Sequence, residues 1–292
     1  MGTKIVIYLL LFPLSFLPMP CLYGLAKLIR FFLYRIFRYR LKTVRTNLAN
    51  AFPNASESDL LNIEKKYYAH LCNLFMEGIK MLSLSEKEVM KHYYCKNPEI
   101  VNTYYKQNKS VILLSGHYNN WEWMVLSLDK QFNHHGIGVG KENTNKSFEK
   151  TINQFRTRYG TEVVFAKNIR ETMKQYDIEQ KACAYMMLSD QTPANVHKSF
   201  IVDFLNQKTD MIYGGEYFAK KYDYPVIYYV VKQKRKGYYE CEFTLITDKP
   251  SQTAYGDIIH AYVHHLEQDI INQPEYWLWS HKRWKHKSLI SN

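Results

Sequence analysis

From residue 111 onward, short apolar runs alternate with longer amphipathic stretches. Such runs are typical of buried strands, and the amphipathic stretches are typical of helices. The pattern predicts strands at residues 111–114, 136–140, 162–165, 183–188, 226–231 and 240–247. It predicts helices at residues 120–130, 145–159, 170–176, 211–222 and 255–272. We therefore expect an α/β fold, with a mixed, mostly parallel sheet flanked by helices.

The amino-terminal segment is apolar for longer than any predicted strand. No charged residue lies between Lys4 and Lys27. As one helix, this stretch would extend about 33 Å, enough to cross the hydrocarbon core of a bilayer. Pro13, Pro18 and Pro20 interrupt it. Because proline breaks or kinks a helix, a pair of short interfacial helices is an open alternative to a membrane span.

A basic and aromatic stretch follows the apolar one, with Lys27, Arg30, Arg35, Arg38, Arg40, Lys42 and Arg45 among five aromatic residues, Phe31, Phe32, Tyr34, Phe37 and Tyr39. Such a stretch favours the cytoplasmic side of a membrane and binds anionic lipids. The alternatives are a cleaved signal peptide, which dense positive charge opposes, and a buried hydrophobic hairpin. We expect a membrane anchor with a polybasic segment at residues 1–45, then one α/β domain at residues 46–292.

The net charge of +12 suits an anionic partner, whether lipid headgroups, an acidic carrier protein or nucleic acid. No sequence signature of a nucleic-acid-binding fold is present, so no nucleic acid is expected. The five cysteines are scattered without a CxxC pair, which argues against a disulfide framework and a zinc finger. The histidine pairs lack a third ligand at metal spacing, so no metal site is expected.

His117 directly follows the first predicted strand of the core, and Glu122 lies five residues later at the start of a predicted helix. Ligands of open α/β sheets bind at the carboxyl ends of the strands. A carboxylate beside an imidazole fixes its tautomer and stabilises the charged form, which makes a general base. Alternatively, Asn119 is the N-cap with Glu122 a capping residue, and His117 is a core histidine bonded to a carbonyl. The spacing alone leaves both interpretations open.

Five segments resemble, in order, the motifs of the lipid A biosynthesis (late) acyltransferases, a family of the lysophospholipid acyltransferase superfamily. The segment GHYNNWE, residues 116–122, resembles the H-x4-D/E motif of that superfamily. The other four are VRTNLANAFPNAS at residues 44–56, RTRYG at 156–160, LSDQTP at 188–193 and WLWSHKRWK at 277–285. The resemblance covers most of the chain.

The resemblance implies transfer of a fatty acyl chain from acyl carrier protein, or from acyl-CoA, to a hydroxyl of a lipid A precursor or related glycolipid. His117 would take the hydroxyl proton, and Glu122 would hold the opposite ring nitrogen. Arg156 or Arg158 would bind phosphate of the donor or acceptor, and Asp190 and Gln191 would bind substrate. No cofactor is implied beyond the acyl donor.

The resemblance also implies a place on the cytoplasmic face of the bacterial inner membrane. The expected partners are acyl carrier protein, the glycolipid acceptor and anionic membrane lipids. One alternative is an acyltransferase for another acceptor, such as an aminolipid or other envelope lipid. Another is a non-catalytic basic protein that binds membranes or nucleic acid.

Overall fold

Alternate residues of the central strands point to opposite faces of one sheet, and helices cover both faces. In the strand at residues 111–115, Ile112 and Leu114 face one apolar cluster, whereas Val111 and Leu113 face the other. The computed structural model describes residues 2–290, apart from the side chains of Thr3 and Lys198. Because both faces of these strands are buried, they read in the sequence as continuous apolar runs.

The main sheet has seven strands in the order β1-β9-β8-β2-β5-β3-β4, and β6 and β7 form a separate antiparallel hairpin. Strands β8, β2, β5, β3 and β4 run parallel, and β9 runs antiparallel to β8. The predicted α/β class is therefore confirmed. The strands are β1 Tyr93–Cys95, β2 Val111–Ser115, β3 His135–Gly140, β4 Glu162–Phe165, β5 Cys183–Leu188, β6 Ser199–Phe204, β7 Gln207–Ile212, β8 Val226–Arg235 and β9 Tyr238–Thr247.

The helices pack on both faces of this sheet and over the amino-terminal region. They are α1 Gly2–Ile5, α2 Phe12–Ser15, α3 Met19–Arg30, α4 Leu41–Ala51, α5 Glu57–Lys80, α6 Glu86–His92, α7 Glu99–Tyr105, α8 Trp121–Gln131, α9 Lys146–Arg156, α10 Ile169–Ile178, α11 Gly214–Tyr222, α12 Asp257–Asn272 and α13 Lys287–Ile290. The segments Val6–Leu11 and Phe31–Ile36 are π-helical. Helix α8 covers one face of the sheet, and α11 and α12 cover the other.

The predicted helix at residues 211–222 begins only at Gly214, because Met211 and Ile212 belong to the β6–β7 hairpin. The hairpin contains a buried aspartate, Asp210, which the apolar pattern could not mark as a strand residue. Its charge is paired in the fold: Arg283 Nη1 lies 3.0 Å and His286 Nδ1 2.7 Å from its carboxylate oxygens. The closing segment of the chain therefore holds this hairpin.

The uncharged amino-terminal stretch is helical over residues 2–15 and breaks at residues 16–18, just before α3. Pro13 and Pro20 lie in the first turns of α2 and α3, and Pro18 is the N-cap of α3. Proline is tolerated at the start of α3 because the first N–H groups of a helix have no partner within it, whereas Pro13 lies just after the π-helical segment Val6–Leu11. Helix α3 packs Leu22 and Ala26 against α5. Within residues 2–290, no helix is both long enough and apolar enough to cross a membrane.

Candidate active site

Two neighbouring strand ends form the site. Strands β2 and β5 are parallel neighbours, and Ser115 is paired with Leu188 at their carboxyl ends. Two residues further along each chain segment come His117 and Asp190, which therefore leave the sheet side by side. This edge of the sheet is where ligands of open α/β folds bind.

Asp190 holds His117 through both the ring and the backbone. Its Oδ1 lies 2.6 Å from His117 Nδ1, and its Oδ2 accepts the backbone N–H of His117 at 2.8 Å. The indole N–H of Trp277 donates to the same Oδ2 at 2.8 Å. The Asp190 side chain is only 2% exposed, whereas the imidazole is 17% exposed. A buried carboxylate thus holds the imidazole in place, while part of the ring is exposed to solvent.

The charge of Asp190 decides the tautomer of His117. Burial by itself would raise the pKa of Asp190, but the charge of His117 and the hydrogen bonds from His117 and Trp277 lower the pKa below the usual aspartate value. An ionised Asp190 only accepts, so the neutral imidazole carries its proton at Nδ1 and has its lone pair at Nε2. That lone pair faces the Gln191 amide, whose Nε2 is 3.1 Å away.

The turn between β2 and α8 is narrow and has no space for a side chain at Gly116. A Cβ there would lie 2.8 Å from Leu266 Cδ1 and 3.2 Å from Asp190 Cγ. Asn119 next adopts a left-handed conformation, with φ of 58°, and its amide donates to the Val231 carbonyl at 3.1 Å. The close approach of Asp190 to the turn therefore depends on glycine at position 116.

Glu122 has a different partner from the one predicted. The N-cap of α8 is Asn120, not Asn119: Asn120 Oδ1 accepts the Trp123 N–H at 3.1 Å. Glu122 then lies in the first helical turn and binds Arg156, whose Nε and Nη2 are 2.8 and 2.5 Å from the two carboxylate oxygens. The predicted pairing of Glu122 with His117 is therefore wrong. Arg156 offers two parallel donors, against one from an imidazole, and so is the stronger partner.

The two arginines of the RTRYG segment contact other groups than the imidazole. Arg156 binds Glu122 as described, and its Nη1 donates to Asn153 at 3.2 Å. Arg158 donates to the backbone carbonyl of Met81 at 2.8 Å and to that of Leu84. Of the six residues proposed from the sequence, the structure brings Asp190 and Gln191 to His117, and it pairs Glu122 with Arg156 nearby on α8 and α9.

A family model of the bacterial lipid A biosynthesis acyltransferases matches residues 2–286. The chain belongs to this family. No curated protein matches it. The match includes the amino-terminal helices as well as the sheet and the closing segment. The family predicted from five sequence motifs is confirmed, and the protein is an acyltransferase.

Sequence reasoning missed the role of Trp277 in this acyltransferase. The closing segment was recognised only as a family motif, yet its first tryptophan donates directly to Asp190. His281 of the same segment lies beside the next loop, where its Nε2 accepts the Thr192 N–H at 3.2 Å. Burial lowers the pKa of His281 to about 4, so it is neutral and can accept. The available signal was the tryptophan-rich motif itself, although nothing in its spacing indicated a carboxylate partner.

A second buried carboxyl, Glu77 of α5, lies beneath the turn. Its oxygens accept from Tyr23 and Tyr239 hydroxyls at 2.6 Å each and from the Asn120 amide at 2.7 Å. Full burial raises the pKa of Glu77 to about 7, despite hydrogen bonds that act in the opposite direction. Glu77 thus joins α3 and β9 to the residue that caps α8.

Glu77→Gln is expected to remove part of the pH dependence of stability. The folded protein retains a proton that the unfolded chain loses near pH 4.5, so this contribution is complete below pH 4.5 and disappears as pH rises through about 7. The difference corresponds to roughly 3 kcal/mol. Between pH 4.5 and pH 8, we expect the free energy of unfolding of wild type to fall by roughly 3 kcal/mol more than that of Glu77→Gln. An exposed control, Glu171→Gln on α10, should behave like wild type, and identical pH dependence of all three proteins would contradict this account.

Proposed function

We propose that this acyltransferase moves a fatty acyl chain from acyl carrier protein, or from acyl-CoA, to a hydroxyl of a lipid A precursor or related glycolipid. The observation that supports it most is the His117 imidazole, held at Nδ1 by Asp190 at 2.6 Å and partly exposed to solvent. An imidazole in this tautomer can take the hydroxyl proton. Family membership supports the lipid acceptor.

In the proposed reaction, the acceptor oxygen attacks the thioester carbonyl carbon while its proton passes to His117 Nε2. Asp190 stabilises the imidazolium that forms and keeps the ring oriented. The tetrahedral intermediate collapses with cleavage of the C–S bond, and the imidazolium returns the proton to the leaving thiolate. The ester and the free thiol are the products, and no acyl-enzyme forms.

The excess of basic residues supports an acidic donor. The net charge of +12 creates a field that attracts an acidic carrier protein and the phosphates of acyl-CoA alike. Thiol release from acyl carrier protein or acyl-CoA, measured with and without the glycolipid acceptor, tests the proposal. We expect release that depends on the acceptor with at least one donor, and no release with either would contradict the function.

The amino-terminal region supports attachment to the cytoplasmic face of the bacterial inner membrane. Leu9, Phe16 and Phe37 are 74%, 63% and 73% exposed, and more exposed apolar residues lie on the same segments, among them Leu10, Leu28, Phe31 and Ile36. Basic residues follow in the same stretch. Short helices with exposed apolar and basic residues bind in the interface of anionic membranes.

The triple substitution Leu9→Glu, Phe16→Glu and Phe37→Glu is expected to release the protein from membranes. Each exposed apolar side chain contributes roughly 2 kcal/mol when it enters the bilayer, so the membrane-bound fraction should fall more than 100-fold. A control with three exposed apolar residues elsewhere, Ile178→Glu, Leu245→Glu and Tyr255→Glu, should stay bound. Sedimentation after a high-salt wash measures both. Release of wild type by salt alone would show that apolar contacts do not anchor it.

A further inference from the structure

Gln191 contacts the one nitrogen of His117 that Asp190 leaves free. Its amide nitrogen is 3.1 Å from His117 Nε2, while Nδ1 is bound to Asp190. In the neutral imidazole with its proton at Nδ1, Nε2 carries a lone pair, so the NH2 of the amide faces it rather than the carbonyl oxygen. The amide of Gln191 therefore lies where an acceptor hydroxyl has to bind in order to lose its proton.

Hydrogen bonds hold the residues on either side of Gln191, so its side chain extends from a fixed point of the backbone. Asp190 is held by the His117 and Trp277 N–H groups. On the other side, the Thr192 hydroxyl donates to the Arg283 carbonyl at 2.8 Å, and the Thr192 N–H donates to His281. The Gln191 side chain is half-buried, and rotation about its own side-chain bonds is what would move the amide away from Nε2.

We propose that Gln191 is a catalytic residue that donates N–H groups to the oxyanion of the tetrahedral intermediate. This inference rests on the proposed acyl transfer. The acceptor oxygen has to lie about 3 Å from Nε2 to lose its proton, and the amide nitrogen already lies within that distance of Nε2. When the hydroxyl takes over the hydrogen bond to Nε2, the displaced NH2 is adjacent to the attacked carbonyl.

Gln191 would act on the negative charge that develops on the carbonyl oxygen during the transfer. As the acceptor oxygen bonds to the thioester carbon, the C=O electron pair moves to the carbonyl oxygen, and the hydroxyl proton moves to Nε2. The amide stabilises the negative oxygen with a neutral N–H, which needs no change of protonation. The C=O then re-forms, the C–S bond breaks and the sulfur takes the proton from Nε2. Because the oxyanion exists only in the intermediate, Gln191 acts on kcat more than on KM.

Gln191→Met tests this role, since methionine has a similar length and no N–H donor. We expect kcat to fall about 10²- to 10³-fold, the usual effect of losing one oxyanion donor, with KM within about threefold of wild type. Gln191→Glu, which keeps the shape but offers no donor at neutral pH, should lose at least as much. Gln175→Met on the exposed side of α10 is the matched control and should be fully active.

A readout that does not depend on turnover separates a catalytic role from a structural one. A long-chain trifluoromethyl ketone forms a tetrahedral hydrate that mimics the intermediate. Its affinity should fall by the same 10²- to 10³-fold in Gln191→Met, with an unchanged thermal midpoint. Normal kcat in Gln191→Met, or a raised KM with normal kcat, would overturn the inference while leaving the proposed function intact. Absence of acyl transfer by wild type would instead overturn the proposed function and this inference with it.

Discussion

His117→Ala is expected to lower the rate of acyl transfer about 10⁴-fold, to the limit of detection. In the proposed reaction, the imidazole is the only group that removes the acceptor proton, and a positioned general base contributes up to about 10⁴-fold in rate. The fold should persist, because Asp190 keeps the backbone N–H of residue 117 and the Trp277 indole as donors. Thiol release from the acyl donor in the presence of acceptor measures the effect.

The matched control for this substitution is His264→Ala. His264 is exposed on α12, and its substitution also replaces one histidine by alanine. Circular dichroism of both variants checks that they remain folded. Transfer by His117→Ala within tenfold of wild type would show that another group accepts the proton.

Asp190→Asn is expected to lower kcat about 10³- to 10⁴-fold, through the tautomer of the ring. The His117 backbone N–H and the Trp277 indole N–H both donate to Oδ2, so the carbonyl oxygen of the asparagine takes that position. Its NH2 then faces His117 Nδ1. Nδ1 then has to accept, and the proton moves to Nε2. An imidazole that carries its proton at Nε2 cannot take one from the acceptor hydroxyl. The circular dichroism spectrum should match that of wild type.

Glu122→Gln provides the comparison that separates Asp190 from the other carboxylate. Glutamine keeps a carbonyl acceptor for Arg156, so the contact between α8 and α9 weakens without being lost. We expect turnover within about tenfold of wild type, since Glu122 does not contact the imidazole. If Glu122→Gln lost as much activity as Asp190→Asn, the assignment of Asp190 as the partner of the base would be wrong.

The sheet could be predicted from the sequence where its strands are buried on both faces. Strand β5 has the predicted bounds, because it is a short apolar run between polar turns. The β6–β7 hairpin could not be predicted. Its buried Asp210 is compensated by Arg283, which lies 73 residues away along the chain. A local pattern contains no information about such a partner.

The position of His117 was predictable, but its partner was not. The strand-to-helix junction located the imidazole at the ligand-binding edge, and Asp190 and Gln191 were placed at the end of another strand. Whether those two ends meet depends on strand order, since His117 and Asp190 are 73 residues apart. Proximity in the sequence favoured Glu122 instead. Strand order is fixed by the packing of whole elements, which spacing within one motif does not reveal.

The most direct test of the account is mass spectrometry of the lipids from cells that produce wild type or His117→Ala at equal levels. The account predicts that wild type adds the mass of one acyl chain to one class of glycolipid and that the variant does not. Identical lipid profiles for the two proteins, or the added acyl chain in the variant, would contradict the claim that His117, held by Asp190, carries out acyl transfer.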